Sequence, residues 1–120
     1  MLTLPPSTRV LVATKPTDMR RSFDGLLGLV RDFLGEDPFA GHLFVFRNRS
    51  GDRLKFLWWD RDGLAIFYKR LEEGAFTFPA PSGDVPQVEM SATDLQLVLQ
   101  GIDPSKVKRS KRYQRPTPAA

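Results

Sequence analysis

Between residues 41 and 71 the chain reads GHLFVFRNRSGDRLKFLWWDRDGLAIFYKRL, and this stretch limits the possible folds more than any other. It holds seven of the chain's thirteen aromatic residues, with seven arginines and lysines between them. Short runs of apolar residues separated by Gly-containing turn sequences are typical of antiparallel β-strands. Which side chains share a face decides what such a sheet can bind, because only an exposed face can meet a ligand.

Three loops that end in glycine set the predicted register. They span residues 49–51, 61–63 and 72–74. Glycine adopts, without strain, the left-handed conformation required at the last position of a three-residue hairpin loop. Loops of that length place Phe44 opposite Phe56 and Trp58 opposite Ile66. They predict an antiparallel meander over residues 42–78, with its fourth strand around Phe76.

This register predicts one apolar face and one mixed face. The even-numbered positions form the core: Phe44, Phe46, Leu54, Phe56, Trp58, Ile66, Tyr68, Phe76 and Phe78. A register that places Phe46 beside Lys55 would mix the two faces and is rejected. The odd-numbered face carries the candidate nucleic-acid-binding residues Arg47, Arg53, Lys55, Trp59 and Lys69, because aromatic rings stack on bases and cations hold phosphates. The alternative, of equal weight, is that a neighbouring element covers part of this face.

Two helices and two further strands complete the predicted α+β fold. Apolar residues recur at helical spacing within residues 20–34, and Gly35 ends that helix. Ser91 begins a short second helix that ends at Gly101. Residues 8–14 and 85–90 are predicted strands. The predicted architecture is an antiparallel meander with the N-terminal strand and helix packed on one face, a short C-terminal helix and a disordered basic tail.

The charge is divided unevenly along the chain. Residues 1–103, the predicted single domain, carry 12 basic and 14 acidic side chains. Residues 104–120, here called the basic tail, carry six basic side chains and no acidic one: Lys106, Lys108, Arg109, Lys111, Arg112 and Arg115. Such a segment has little to bury and is expected to be disordered without a partner. It favours a polyanionic partner, although a merely solvated terminus is equally consistent with it.

The inventory of reactive side chains argues against an enzyme. The chain has no Cys and a single His, His42, so neither a zinc cluster nor a Cys–His pair can form. The acidic residues around Gly63 are those that a tight turn uses. We therefore expect no catalytic residue, no metal and no cofactor. The absence of a signal peptide or membrane span predicts a cytoplasmic protein.

Four sequence motifs resemble one bacterial family. They are KPTDMRRSFDGL from Lys15, GHLFVF from Gly41 followed by Asn48, Gly51 and Asp52, LWWDRDG from Leu57, and YKRLEEGAF from Tyr68. A late LQGID from Leu99 completes the pattern. The chain is similar over about residues 10–103 to the TnpB accessory protein, the second open reading frame, of insertion-sequence family 66. The motif residues are Asp18, Met19, Arg20, Phe23, Gly25, Trp58, Trp59, Asp60, Gly63, Tyr68, Lys69 and Arg70.

The resemblance implies a small protein that a transposable element encodes beside its transposase. It supplies no catalytic residues, and it does not extend to the large RNA-guided nucleases that share the name TnpB. The implied role is that of a non-enzymatic accessory protein in DNA transposition, with the element-end DNA, the transposase or both as partners. The alternative is a protein–protein adaptor that binds no nucleic acid.

Overall fold

The computed structural model describes Pro5, residues 7–108, Ser110 and Tyr113, and it confirms the α+β class. The elements in chain order are β1 (Val10–Ala13), α1 (Phe23–Leu29), a π-helical turn (Val30–Leu34), β2 (Leu43–Arg47), β3 (Arg53–Asp60), β4 (Gly63–Arg70), β5 (Gln87–Met90), α2 (Ala92–Leu99) and a 3-10 turn (Pro104–Lys106). The strands form one sheet in the order β4-β3-β2-β1-β5. Strand β1 pairs in parallel with β2 and antiparallel with β5.

The predicted register of the meander is wrong by one residue at both hairpins. Phe44 lies opposite Leu57 and Phe46 opposite Lys55, although the expected separation of apolar and mixed faces excludes the second pair. Trp58 lies opposite Ala65 rather than Ile66. In antiparallel sheets, a slip of one residue moves a side chain to the other face.

The loops explain both errors. The first loop has four residues, because the side-chain oxygen of Asn48 accepts the backbone N–H of Arg53 (3.0 Å) and closes the turn. The second loop has two residues, with Arg61 in the left-handed region at φ 56°. Glycine therefore marks both turns, but its position does not give their lengths.

Both faces of the sheet are covered. We call the two sides the α1 face and the α2 face, after the helix that packs on each. On the α1 face, Leu26 and Val30 pack against Leu11, Phe44, Phe46 and Leu57. On the α2 face, Leu95 and Val98 pack against Val10, Val12, Leu43, Val45, Leu54 and Phe56.

The predicted fourth strand is absent from residues 76–78. Instead the segment crosses the loop of the first hairpin: the Phe76 N–H donates to the Gly51 carbonyl (2.8 Å) and the Leu71 N–H to the Asp52 carbonyl (2.8 Å). Phe76 is buried against the α2 face, with Phe78 packed beside it. Tyr68, predicted as core, is 46% exposed.

The helix boundaries follow the predicted stop signals better than the start signals. Helix α1 begins at Phe23, three residues after the predicted start, and the Ser22 side chain before it makes no capping hydrogen bond. The Thr17 N–H, farther upstream, donates to the Arg47 carbonyl (2.7 Å) at the end of β2. Gly35 ends the helical segment with φ 65°, as predicted. Helix α2 has the predicted Ser91 cap, whose hydroxyl accepts the Asp94 N–H (3.0 Å).

The start of the basic tail is folded. Pro104–Lys106 form the 3-10 turn, Pro104 is buried, and the Asp103 carboxylate accepts the Ser105 N–H (3.0 Å). The hydrogen bonds from Ser105 lower the pKa of Asp103. Lys106 and Lys108 are exposed. The other four tail cations, Arg109, Lys111, Arg112 and Arg115, lie outside the described residues, as does most of the segment predicted to be disordered.

Candidate nucleic-acid interface

The five sheet residues predicted to form one binding surface are divided between the two faces. Arg53, Lys55 and Trp59 lie on the α1 face, because Lys55 is the cross-strand partner of Phe46. Arg47 and Lys69 lie on the α2 face, on either side of Leu54. The prediction of a single recognition surface on the odd-numbered positions is therefore wrong.

The Arg47 side chain makes a contact within the fold. Its side chain is half-buried, and its Nη2 donates to the Thr14 carbonyl (2.9 Å) just beyond β1. Lys69 is exposed on the same face. The structure therefore gives Arg47 a structural contact and leaves Lys69 as the exposed cation of this pair.

Lys55 is the buried cation of the α1 face. It is 7% exposed, its ammonium donates to the Arg21 carbonyl (2.6 Å), and it lies 4.8 Å from the centre of the Tyr68 ring. A charged group buried in this way needs such partners, since an unpaired charge is costly away from water. Lys55 fastens the segment before α1 to the sheet and is not available to bind an external phosphate.

Trp59 lies at the other end of β3. Its ring contacts the Phe39 ring edge-on, with 5.3 Å between the ring centres. The Arg31 guanidinium lies over the Phe39 ring, 5.8 Å from its centre. Six residues along a strand span about 20 Å, so Trp59 is far from Arg53. The tryptophan and the arginine cannot contact the same nucleotide.

Five arginines lie on the segments that meet at one end of the sheet. We call this set the basic rim: Arg20, Arg21, Arg49, Arg53 and Arg70. Arg53 and Arg70 are direct cross-strand partners, and Arg53 also donates to the Tyr68 hydroxyl (3.3 Å). Arg70 is ion-paired with Glu72 (3.1 Å), which offsets part of the repulsion between the two opposed arginines, whereas Arg53 makes no ion pair among the described residues.

A groove of about 490 Å³ runs through the rim, between the segment before α1 and the first hairpin loop. Its lining includes Thr17, Asp18, Asn48, Arg49, Asp52 and Arg53. The two carboxylates are occupied. Asp18 accepts three side-chain contacts from Arg20 and the Arg20 backbone N–H, and Asp52 accepts from Asn48 (2.7 Å) and Ser50 (2.9 Å).

These contacts stabilise both carboxylates in their charged form. The hydrogen bonds from Arg20 lower the pKa of Asp18 to about 2, and those from Asn48 and Ser50 lower the pKa of Asp52. Arg49 and Arg53 line the same groove and make no ion pair within the part of the chain that the structure describes. The groove therefore combines two carboxylates that already accept hydrogen bonds with two guanidinium groups that form no ion pair in the described part of the chain.

Two of the family motifs meet at this rim. The first runs through Asp18 and Arg20, and the last through Tyr68 and Arg70; Lys55 joins them through its contacts with the Arg21 carbonyl and the Tyr68 ring. A methyl group at Gly25 would lie 3.1 Å from the Arg21 Cβ, so glycine leaves room for that arginine to lie along the helix.

The remaining motif residues serve elsewhere. Met19 packs against the core of the α1 face and Trp58 against that of the α2 face, while Asp60 and Gly63 flank the second turn. Phe23, the first residue of α1, is 45% exposed.

Arg21 and Arg49 were not among the predicted site residues, and Arg20 and Arg70 were named only as motif residues. Their proximity depends on the register and on the path of residues 15–22 across the end of β2, which the sequence alone does not show. The pairing of Arg53 with Arg70 follows directly once the second loop is known to have two residues. Turn length was therefore the missing signal.

A second groove of about 610 Å³ lies between the π-helical turn and the end of β1. Asp18, Asp32 and Asp84 line it together with Lys15 and Arg21, so its charges are mixed. Among the described residues there is no group of three His, Asp or Glu side chains placed to hold a metal ion. No described helix is long and apolar enough to cross a membrane.

Comparison with known proteins identifies relatives along nearly the whole chain. Residues 8–109 match the family model described as IS66 Orf2 like protein. The chain is 41% identical over 112 residues to the uncharacterized protein y4jC of Sinorhizobium fredii, covering 93% of each chain. It is 42% identical over 103 residues to the uncharacterized protein y4hO of the same organism, covering 86% of this chain and 88% of that one. No solved structure matches.

Proposed function

Because the chain belongs to the IS66 Orf2-like family and so has an accessory role in insertion-sequence transposition, we propose that it binds the element's DNA through the basic rim. The basic tail acts as a second, less specific arm. The protein contributes binding rather than chemistry, and the cleavage and joining of DNA belong to the transposase.

The observation that carries this proposal is that Arg49 and Arg53 line the rim groove and form no ion pair among the described residues. Both side chains border one groove of about 490 Å³, and its two carboxylates, Asp18 and Asp52, already accept hydrogen bonds from neighbouring side chains. Guanidinium binds phosphate through two parallel hydrogen bonds. A DNA phosphate in this groove would pair with the two guanidinium groups, whereas a neutral ligand would not.

An experiment that separates the rim from general charge compares two double variants. Arg49→Gln with Arg53→Gln removes two rim cations, and Arg31→Gln with Arg61→Gln removes two exposed cations elsewhere. Each phosphate contact contributes about 0.9 to the slope of log affinity against log salt. We expect the rim variant to lose affinity for element-end DNA and to lower the slope by up to about 1.8, with little change in the control.

The tail is tested separately. Truncation before Lys108 leaves the folded 3-10 turn intact and removes five cations from the sequence. The slope should then fall by at most about 4.5, while any preference for element-end over random DNA should persist. A parent protein that shows no DNA affinity at low salt would overturn the DNA-binding proposal.

A second candidate function, an adaptor for the transposase, has its own supporting observation. Phe23, Phe33 and Phe39, which lie in and shortly after the helical segment that ends at Leu34, are 45%, 60% and 45% exposed. Exposed aromatic residues are typical anchors of protein interfaces. Phe33→Asp should abolish capture by the purified transposase if this candidate is right, and should leave DNA affinity unchanged.

The absence of intrinsic catalysis is also testable. Element DNA incubated with the protein and Mg²⁺ or Mn²⁺ should remain uncut. Metal-dependent cleavage that Asp60→Asn abolishes would contradict this part of the proposal.

A further inference from the structure

Strand β4 forms an edge of the sheet and has the properties of an interaction surface. It is eight residues long and pairs with β3 along one side, and no described strand pairs with its other side. Its sequence from Leu64 to Tyr68 is apolar or aromatic and contains no proline, and Phe67 and Tyr68 are 38% and 46% exposed. Natural proteins usually protect an edge of this length, because its free N–H and C=O groups can pair with another strand.

We propose that β4 pairs antiparallel with β4 of a second copy of this chain, about a two-fold axis that passes through Ile66. This inference goes beyond the proposed DNA binding and does not depend on it. The two five-stranded sheets would then form one continuous sheet. The occupant is a second copy because β4 is complementary to itself in both shape and charge.

The symmetry limits the possible registers. A two-fold axis perpendicular to the sheet keeps each face on its own side, so opposed residues must both be even-numbered or both odd-numbered. An axis at Ile66 places Leu64 opposite Tyr68 on the α1 face and Ala65 opposite Phe67 on the α2 face. Each large ring therefore lies beside a smaller apolar side chain, in the type of cross-strand pair that stabilises sheets.

Charge selects among these registers. With the axis at Ile66, Asp62 of one copy lies opposite Arg70 of the other. With the axis at Ala65, Arg61 would oppose Lys69, and with the axis at Phe67, Asp62 would oppose Glu72. A parallel arrangement would oppose Lys69 to Lys69. Each register also opposes a second charged pair: Asp60 with Glu72 for the axis at Ile66, Asp60 with Arg70 for Ala65, and Arg61 with Glu73 for Phe67. Only with the axis at Ile66 is the pair nearer to the axis the attractive one. Like charges in opposed positions are destabilising, so the register centred on Ile66 is the favoured one.

Cysteine cross-linking tests this geometry directly, because the natural chain contains no cysteine. At the axis, Ile66→Cys places two sulfur-bearing residues about 5 Å apart, within the Cα separation of a disulfide. At Arg70→Cys the two copies are separated by eight residues along the strand, or about 27 Å. We expect rapid disulfide dimers from Ile66→Cys, and none from Arg70→Cys or from Phe33→Cys on the helical side.

The unmodified protein provides the second readout. Sedimentation should give a mass of two chains, and Phe67→Lys should shift it to one, whereas Phe33→Lys, at a more exposed phenylalanine, should not. If Phe67→Lys fails to fold, Ala65→Lys can replace it, because Ala65 of one copy lies opposite Phe67 of the other in the proposed dimer. Three results would overturn the proposal. The protein could be a monomer at all concentrations, or its dimer could cross-link at Phe33→Cys but not at Ile66→Cys. Alternatively, Ile66→Cys could cross-link only when transposase is present.

Discussion

The two faces of the sheet are closed in different ways. The α2 face is closed by apolar side chains from α2 and from the segment of Phe76, which cover the centre of the sheet. On the α1 face, apolar side chains cover the part of the sheet that lies under α1. The end of this face near Arg21 is covered by the polar segment before the helix, which Lys55 holds through its hydrogen bond to the Arg21 carbonyl. The basic rim lies at this polar end, where hydrogen bonds replace apolar packing.

This difference has an energetic meaning. Burial of apolar surface is favourable without a requirement for direction, whereas a buried cation stabilises a fold only while its partners stay in place. The α2 face should therefore tolerate changes of polar residues, and the α1 face should depend on a few specific contacts. A binding surface needs side chains held in defined positions, and the α1 face supplies them.

The largest expected effect tests whether both faces are truly covered. Phe56, 2% exposed and stacked on Phe67 at 5.4 Å, represents the α2 face, and Phe44, fully buried, represents the α1 face. Each change to alanine should lower the free energy of unfolding by about 3–5 kcal/mol, measured by urea denaturation. A cost below about 1 kcal/mol for either variant would show that the helix on that side does not cover the sheet.

The half-buried Trp58 provides an internal comparison for that experiment. It lies at the margin of the α2-face core, so Trp58→Ala should cost less than Phe56→Ala. The opposite order would indicate that the observed register of β3 is wrong.

The sequence predicted the elements well and the register poorly, and both outcomes have physical reasons. Helical spacing, the Ser91 cap and the stops at Gly35 and Gly101 are local signals, and the structure contains all of them. Register depends on alternation, which is clear only when one face meets water. Here α1 and α2 cover both faces, so apolar residues occupy even and odd positions alike.

The candidate site was predicted in part for the same reason. Arg53 was expected at a binding surface and does line the rim groove. Lys55 was also expected there, but it is buried by the tertiary path of the segment that contains Arg21. A cation on a strand looks the same in sequence whether it meets solvent or a backbone carbonyl, so the pattern could not distinguish the two.

The second prediction concerns the polar closure of the α1 face. Lys55→Met keeps the aliphatic stem but removes the charged donor to the Arg21 carbonyl, and should cost about 1.5–3 kcal/mol. Tyr68→Phe keeps the ring over which Lys55 lies and removes only the hydroxyl contact with Arg53, so it should cost less than about 1 kcal/mol. Equal effects in chemical denaturation would mean that Lys55 acts through packing alone.

A third prediction concerns the turn at the far end of the β3–β4 hairpin from the rim. Arg61 has φ 56°, and the Asp62 N–H donates to the Asp60 carbonyl (2.5 Å) in a very tight turn. A non-glycine residue in the left-handed region lowers the stability of the fold by about 1–3 kcal/mol. Glycine avoids this strain, but its greater conformational freedom in the unfolded chain opposes part of the gain. Arg61→Gly should therefore raise stability by up to about 1 kcal/mol, seen as a higher melting temperature, without a change in DNA affinity.

The smallest expected effect tests the carboxylate of the rim groove. The pKa of Asp18 falls from 3.8 to about 2, chiefly through the hydrogen bonds from Arg20. Because the folded-state pKa is the lower one, Asp18 contributes stability that is fully present above about pH 4 and is lost as the pH falls through about 2. The urea midpoint of the parent should exceed that of Asp18→Asn at pH 6, and the difference should shrink towards pH 2. In an Arg20→Gln background the difference should be smaller at pH 6 as well, since the principal partner is gone. A difference that is independent of pH in both backgrounds would mean that the Asp18 charge does not stabilise the segment that forms the rim.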